Sequence, residues 1–547
     1  MSSRRDALKT LLVGGAGVAV GAAPAEAGSK PAPACAAVPY GDWSKLQWGR
    51  GFEGQRIADL GDGTYLNPIF SGDRPDPTIL KNGDDYWMTF SSFESYPGIV
   101  IWHSRDLIHW EPVGPALTRP VGSVWACDIA KHGDRYFIYF PARTQERRSN
   151  YVVHAASMRG PWSEPIDLNL PAHIDPGHIV GEDGKRYLFL SGGDRVRLSD
   201  DGLATDGAVE HVYDPWRYPE DWVVESFSPE GPKLLRHGEY FYMITAVGGT
   251  AGPPTGHMVI AARSKSIHGP WENCPHNPLV RTTDAREKWW SRGHATVFEG
   301  PDQQWWSVYH GYENGYWTLG RQCLLDRVEW TDDGWLRFLG KDLSTPAAKP
   351  RLARAPATPP AHHLPLSDDF SRDKFGIQWA FYDPGANEKA RVTYENGALV
   401  MAGKGDSPAN CSPLTCIVGE QAYRCEVEIE VEGDATGGVL FFYNRRMYCG
   451  LGFNEKQLVR HRTAIDAARR KPESLAGRRA FIRFENNRHI VTFHTSPDGK
   501  TWSKFDTQME ISGYHHNVAY DFLSVRPGLY AAGNGLVRFR NFRFQTI

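Results

Sequence analysis

Asp76 stands five residues ahead of the run 81-KNGDDYWMTF-90, a Gly/Asp turn that leads into an aromatic strand. The same arrangement recurs four times: Asp128 before 131-KHGDRYFIYF-140, Asp175 before 181-GEDGKRYLFL-190, Glu230 before 235-LRHGEYFYMI-244 and His294 before 299-EGPDQQWWSV-308. The turn residues Gly83, Gly133, Gly184, Gly238 and Pro301 are spaced by 50, 51, 54 and 63 residues. A period of that size with one hairpin per unit predicts an all-β, five-bladed β-propeller. In a propeller the inner strands all start at one rim of the central channel. Five polar side chains, four of them carboxylic acids, are therefore expected to ring one funnel.

The 547 residues suffice for two domains with cores of their own. A formal charge of −3 without a basic stripe argues against a nucleic-acid partner. Aromatics at 12% among many Gly and Pro turns suit an all-β protein that stacks on sugar rings. The N-terminus reads as a twin-arginine-type export signal over residues 1–27. Ser3, Arg4 and Arg5 precede the Gly/Ala-rich stretch Leu11 to Ala23, and Ala25-Glu26-Ala27 forms the cleavage pattern. That stretch is too short and too weakly apolar to span a bilayer, so a periplasmic or extracellular protein without a membrane partner is expected. Cys35 follows Ala-Pro-Ala, a poor lipidation box. The other cysteines, Cys127, Cys274, Cys323, Cys411, Cys416, Cys425 and Cys449, lack paired spacing for zinc. They read as buried free thiols, with a disulfide among Cys411, Cys416, Cys425 and Cys449 as the alternative.

The propeller is expected over residues 38–343, with the aromatic, irregular start packing on it or closing it. HSRDLIHWEPVG from His103, ASMRGPWSEPI from Ala156 and ARSKSIHGPWENCP from Ala262 read as outer hairpins, with Trp110, Trp162 and Trp271 as core wedges. Residues 344–365 are rich in Pro and Ala and read as a semi-rigid linker. From 366 to 547, stretches such as RCEVEIEVEG and RAFIRFENNRHIVTF alternate apolar with polar around short turns, which predicts a β-sandwich.

Two carboxyl groups, one protonated and one ionised, are what glycoside hydrolysis needs, and a third nearby raises the acid's pKa by repulsion. Asn67 to Trp110, VWACDI (Val124 to Ile129), IDPGHIVGEDGKRYL (Ile174 to Leu188), PEGPKLLRHGEYFYM (Pro229 to Met243), GHATVFEG (Gly293 to Gly300) and LGRQ (Leu319 to Gln322) together resemble glycoside hydrolase family 43, in its β-xylosidase-like and α-L-arabinofuranosidase-like members. The resemblance implies a concanavalin-like C-terminal sandwich and a carbohydrate substrate. It makes Asp76 the general base that activates water, Asp175 the residue that tunes and orients the acid, and Glu230 the general acid. His294 matches a histidine that in many members helps hold a hydrated cation, often calcium, in the channel. Arg321 matches an arginine that contacts the innermost sugar. The family inverts anomeric configuration, with base and acid far enough apart to admit a water.

Each position has a rival reading. Glu225 competes with Glu230, and the EGP context and the ring phase favour Glu230. Asp128 competes with Asp175 for the modulating role and is left as a structural or substrate-contact residue; Cys127 before it departs from the family's proline. Phe93, Trp125 and Tyr96 fall near the rim by phase and are sugar-platform candidates. The expectation is an exo-acting inverting hydrolase of terminal β-xylosyl or α-L-arabinofuranosyl units. Its rivals are a retaining fructosidase-like propeller, with Asp76 as nucleophile, and a non-catalytic carbohydrate-binding protein.

Overall fold

The structure is a computed structural model and describes residues 46–352 and 362–547. Residues 1–27, read as an export signal, and Cys35 lie outside the described residues. Five antiparallel sheets follow one another from residue 78 to residue 338. The first blade comprises Thr78–Asn82, Asp85–Thr89, Gly98–Ser104 and Glu111–Leu117, and the last Trp289–Glu299, Trp305–Glu313, Arg321–Trp330 and Leu336–Phe338. Gly83, Gly133, Gly184 and Gly238 all have positive φ, between 59° and 74°, as a tight hairpin turn requires. In the fifth blade, which has Pro301 instead, Gln303 takes the positive φ of 62°.

Five apolar clusters lie between successive blades. The first and last blades meet around Tyr86, Trp102, Trp306 and Leu325. Of the expected wedges, Trp110 is fully buried, whereas Trp162 and Trp271 are half-buried at the margins of their clusters. The ring is closed by the segment before the first blade. Asn67 Nδ2 donates to Leu325 O at 2.9 Å, Leu325 N donates back to Asn67 Oδ1 at 2.8 Å, and Arg74 N donates to Arg321 O at 2.7 Å. First and last blades are thereby held in register.

The described ends of the linker are more ordered than its composition predicts. Ala347–Ala348 pairs with Thr64–Tyr65, and His363 N donates to Trp110 O at 2.9 Å, with His362 and His363 against Phe70. Pairing on an exposed edge needs only backbone groups, which Ala supplies.

The C-terminal domain is a sandwich around one large core, built on two long strands, Ala422–Asn444 and Arg526–Thr546, that pair along most of their length. The propeller contributes to this sheet: Ser95–Tyr96, in a loop of the first blade, pairs with Ala380–Tyr382. Tyr96 therefore belongs to the seam, where its hydroxyl donates to Gly122 O at 2.5 Å, and it is not a sugar platform. Two buried charge clusters cross the same seam. Arg526 donates to Asp73 Oδ2 at 2.8 Å and to Ser95 Oγ at 2.6 Å. Arg56 reaches Glu313 at 3.0 Å and its backbone N donates to Glu420 at 2.5 Å, while Lys288 reaches Glu313 at 2.7 Å. The seven described cysteines are all buried and free, so no disulfide joins Cys411, Cys416, Cys425 or Cys449.

Candidate active site

The inner strands deliver Asp76, Asp175, Glu230 and His294 to one cavity of about 200 Å³, which Phe93, Trp125, Glu225, Arg321 and Phe522 also line. Three of these ring positions share an unusual backbone. Asp76, Asp175 and His294 have φ of 55°, 57° and 61°, a left-handed region that costs a non-glycine residue about 1–3 kcal/mol. Asp76 and Asp175 take this conformation just ahead of Thr78–Asn82 and Gly177–Val180, and His294 takes it inside Trp289–Glu299 at a break in the register with Trp305–Glu313.

Asp76 is buried and fully engaged. Its Oδ1 accepts from Arg321 Nη1 at 2.7 Å and lies 3.1 Å from His310 Nδ1, and its Oδ2 accepts from Ser91 Oγ at 2.5 Å. Burial pushes its carboxyl up, but Arg321, followed by His294 and His310, outweighs this and holds the group well below the usual carboxylate range. Asp76 is an anion at neutral pH.

Glu230 is driven the other way. Burial, then the negative charges of Asp175 and Asp76, push its carboxyl well above the ordinary range against the opposing pull of Arg321, and Glu225 adds to the push. Glu225 also lines the pocket, but its Oε2 accepts from Ala251 N at 2.9 Å. One ionised and one protonated carboxyl therefore face one cavity.

Asp175 lines the same cavity. Its Oδ2 accepts from His294 Nε2 at 3.2 Å and from the backbone N of Gly231 at 3.1 Å, the residue directly after Glu230. Gly231 has φ of 64°, and a β-carbon there would come within 2.6 Å of His294 Nε2. Only glycine lets the strand carrying Glu230 pass this close to the Asp175–His294 pair.

Asp128 is in phase with the others but does not line the cavity. Its Oδ1 accepts from Lys233 Nζ at 2.9 Å and Thr78 Oγ1 at 3.3 Å, and its Oδ2 accepts from His178 N at 2.8 Å. Both oxygens are engaged in tying four blades together, so the expected substrate-contact role is corrected to a structural one.

Phe93 and Trp125 do line the cavity, and Arg321 lies 5.6 Å from the Phe93 ring. Phe522, from the sandwich, completes this wall: its ring is 6.2 Å from Phe93 and 5.4 Å from the Arg321 guanidinium. Nothing in the propeller repeat points to it. His257 and His310 were also missed; they stack at 5.2 Å, with His294 6.5 Å and 6.0 Å away. Polar residues inside the apolar strands Met258–Ser264 and Trp305–Glu313, or next to them, were the available signal. Burial pushes His310 down to about 3, and His257 well below its ordinary range, so both imidazoles are neutral.

The described residues contain no set of three His, Cys, Asp or Glu side chains placed to hold a metal. His294 has Nε2 on Asp175 and Nδ1 without a partner, and the other unpaired buried atoms beside it are nitrogens of His257 and His310. Calcium takes six to eight oxygen ligands, and the unpartnered Nδ1 of His294 is the atom that would accept from the water shell of a hydrated ion.

A closed ring of five blades with an ionised and a protonated carboxyl in its funnel defines the class of the protein: a propeller glycoside hydrolase. The family described as Glycosyl hydrolases family 43 matches residues 65–336, and the one described as Beta xylosidase C-terminal Concanavalin A-like domain matches residues 367–545. The chain is 30% identical to a xylan 1,3-β-xylosidase of a Vibrio species over 68% of this chain and 74% of that one. It is 32% identical to the non-reducing end α-L-arabinofuranosidase BoGH43B of Bacteroides ovatus, over 63% of this chain and 66% of that one. Among solved structures, the GH43 protein BlXynB of Bacillus licheniformis superposes with a TM-score of 0.76 at 27% identity, covering 88% of this chain and all of that one. The chain belongs to glycoside hydrolase family 43 and is a two-domain member with a concanavalin-like sandwich.

Proposed function

We propose that the protein is an exported, exo-acting, inverting hydrolase of terminal β-xylosyl or α-L-arabinofuranosyl units. The observation that carries this is the opposed ionisation of Asp76 and Glu230 at one small cavity. Asp76, held as an anion by Arg321, takes the proton of a water as it attacks the anomeric carbon. Glu230, held protonated, gives its proton to the departing oxygen. Asp175 supplies repulsion that keeps Glu230 protonated and, through Gly231 N–H, fixes the strand that carries it. His294 is a positioning residue that orients Asp175.

The wall formed by Phe522 supports exo action, because a small cavity closed on one side takes a chain end and not the middle of a polymer. The relatives named for β-xylosidase and non-reducing end arabinofuranosidase activity support the same choice of glycones. The Ser-Arg-Arg run and the Ala-Glu-Ala pattern support export. A panel of chromogenic β-xylosides and α-L-arabinofuranosides tests the reading. Release from at least one, abolished in Asp76→Asn, is expected; no release from any contradicts it.

A further inference from the structure

The cavity that holds the terminal sugar leaves one question open: what the sugar is attached to. Trp125 lines the cavity, and its backbone N donates to Pro141 O at 3.1 Å while its indole donates to Ser123 Oγ at 3.1 Å. Two guanidinium groups flank its ring. Arg143 and Arg148 each lie 5.9 Å from the ring centroid. They close the hairpin of the second blade, where Arg143 is the Cα partner of Arg148.

Like charges directly opposite each other in a ladder are destabilising. Arg148 feels the carboxylate of Asp175 from the catalytic ring, which opposes the effects of burial and of Arg143 on it. Arg147 in the same turn takes Asp167, whose other oxygen accepts from Ser149. Arg148 donates one Nη to Ala172 O, and its Nε is buried without a partner. Arg143 is exposed, with no ion pair among the described residues. A single arginine over Trp125 would supply the cation–π contact. The second adds repulsion that Asp175 offsets on the Arg148 side, and an anion reached by both guanidinium groups would offset it on the exposed Arg143 side.

Resting on the glycosidase reading, we infer that Trp125, Arg143 and Arg148 form a leaving-group subsite for an acidic aglycone, a saccharide carrying a carboxylate such as a uronic-acid substituent. The leaving sugar lies along Trp125, and its carboxylate is taken by the paired guanidinium groups, which bind carboxylates in forked geometry. The subsite adds no chemical step. It raises affinity for one class of branch or chain end.

The test compares a 3-carboxyphenyl glycoside of the cleaved sugar with its neutral 3-carbamoylphenyl counterpart, and adds binding of the two unhydrolysable thioglycosides measured by calorimetry. The wild type is expected to favour the carboxylate about tenfold in kcat/KM, through KM, with the preference fading at high salt. Arg143→Gln and Arg148→Gln should each erode the preference, and Arg143→Lys should keep part of it. Equal kcat/KM for both glycosides, or a preference that survives both Gln variants, overturns the subsite. If neither glycoside is hydrolysed, the glycosidase reading fails separately, and the thioglycoside binding preference decides the subsite by the same two criteria.

Discussion

Arg321 places Nη1 2.7 Å from Oδ1 of Asp76, with both side chains buried, and so joins the third strand of the last blade to the inner rim of the first. The contact holds Asp76, the proposed base, as an anion and helps close the ring. Arg321→Ala removes the main charge that holds Asp76 down. With burial then dominant, the Asp76 carboxyl rises, and the acidic limb of the kcat/KM profile should move to higher pH. The same variant should lose about 3–5 kcal/mol of stability, since a buried charge is left without its partner. A pH profile and urea melts check both. An unmoved acidic limb would separate Arg321 from the ionisation of Asp76.

On the proposed mechanism, activity requires Asp76 ionised and Glu230 protonated. Because the first is held below the ordinary carboxylate range and the second well above it, the profile should be a broad plateau. Its basic limb belongs to Glu230. In Glu230→Gln that limb should disappear for activated aryl glycosides, which need little protonation, while substrates with poor leaving groups lose about 10²–10⁴-fold. Equal losses on both, or the selective pattern in Glu225→Gln, would move the acid to another residue.

Much of this was legible in the chain. The turn period exposed five blades because each hairpin needs a residue of positive φ, and Gly marks it four times. Phase alone also selected Asp76, Asp175, Glu230 and His294. It could not separate Asp128 from them, because what removes Asp128 from the cavity is Lys233, on the strand two blades on, and no local signal announces a partner that distant. Phe522 escaped for the same reason: it reaches the site by docking of the sandwich, which is a matter of tertiary packing.

Gly231→Ala should damage catalysis more than folding. The new methyl meets the His294 ring at a backbone angle that favours glycine, displacing the Asp175–His294 pair beside Glu230. A fall in kcat with a downward shift of the basic limb is expected. A normal profile would mean that Asp175 does not govern Glu230.

The seam should be acid-sensitive. Glu313 is buried; burial pushes its carboxyl up, but Arg56, then Lys288, hold it down at about 2. A carboxyl depressed in the folded state stabilises above its unfolded pKa, and this contribution is lost as pH falls through the folded value. From the ordinary range down to about 2 it amounts to on the order of 3 kcal/mol. Glu313→Gln should therefore flatten the decline of stability between about pH 5 and pH 2, as read by denaturant melts at each pH. An unchanged slope would place acid sensitivity elsewhere.

Phe522→Ala should raise KM, because the sandwich supplies one wall of the sugar cavity next to Arg321 and Phe93. The propeller shortened to residue 343 should lose activity and solubility as the seam around Ser95–Tyr96 and Asp73 is uncovered. A soluble, fully active propeller would make the sandwich an appendage.

The central claim is that Asp76 activates water while Glu230 protonates the leaving oxygen in one displacement. Proton NMR of the first sugar released from a xyloside or arabinofuranoside tests it most directly. The account predicts a free monosaccharide whose first-formed anomer is opposite to that of the substrate, appearing before mutarotation. A first-formed anomer matching the substrate would contradict it and make Asp76 a nucleophile.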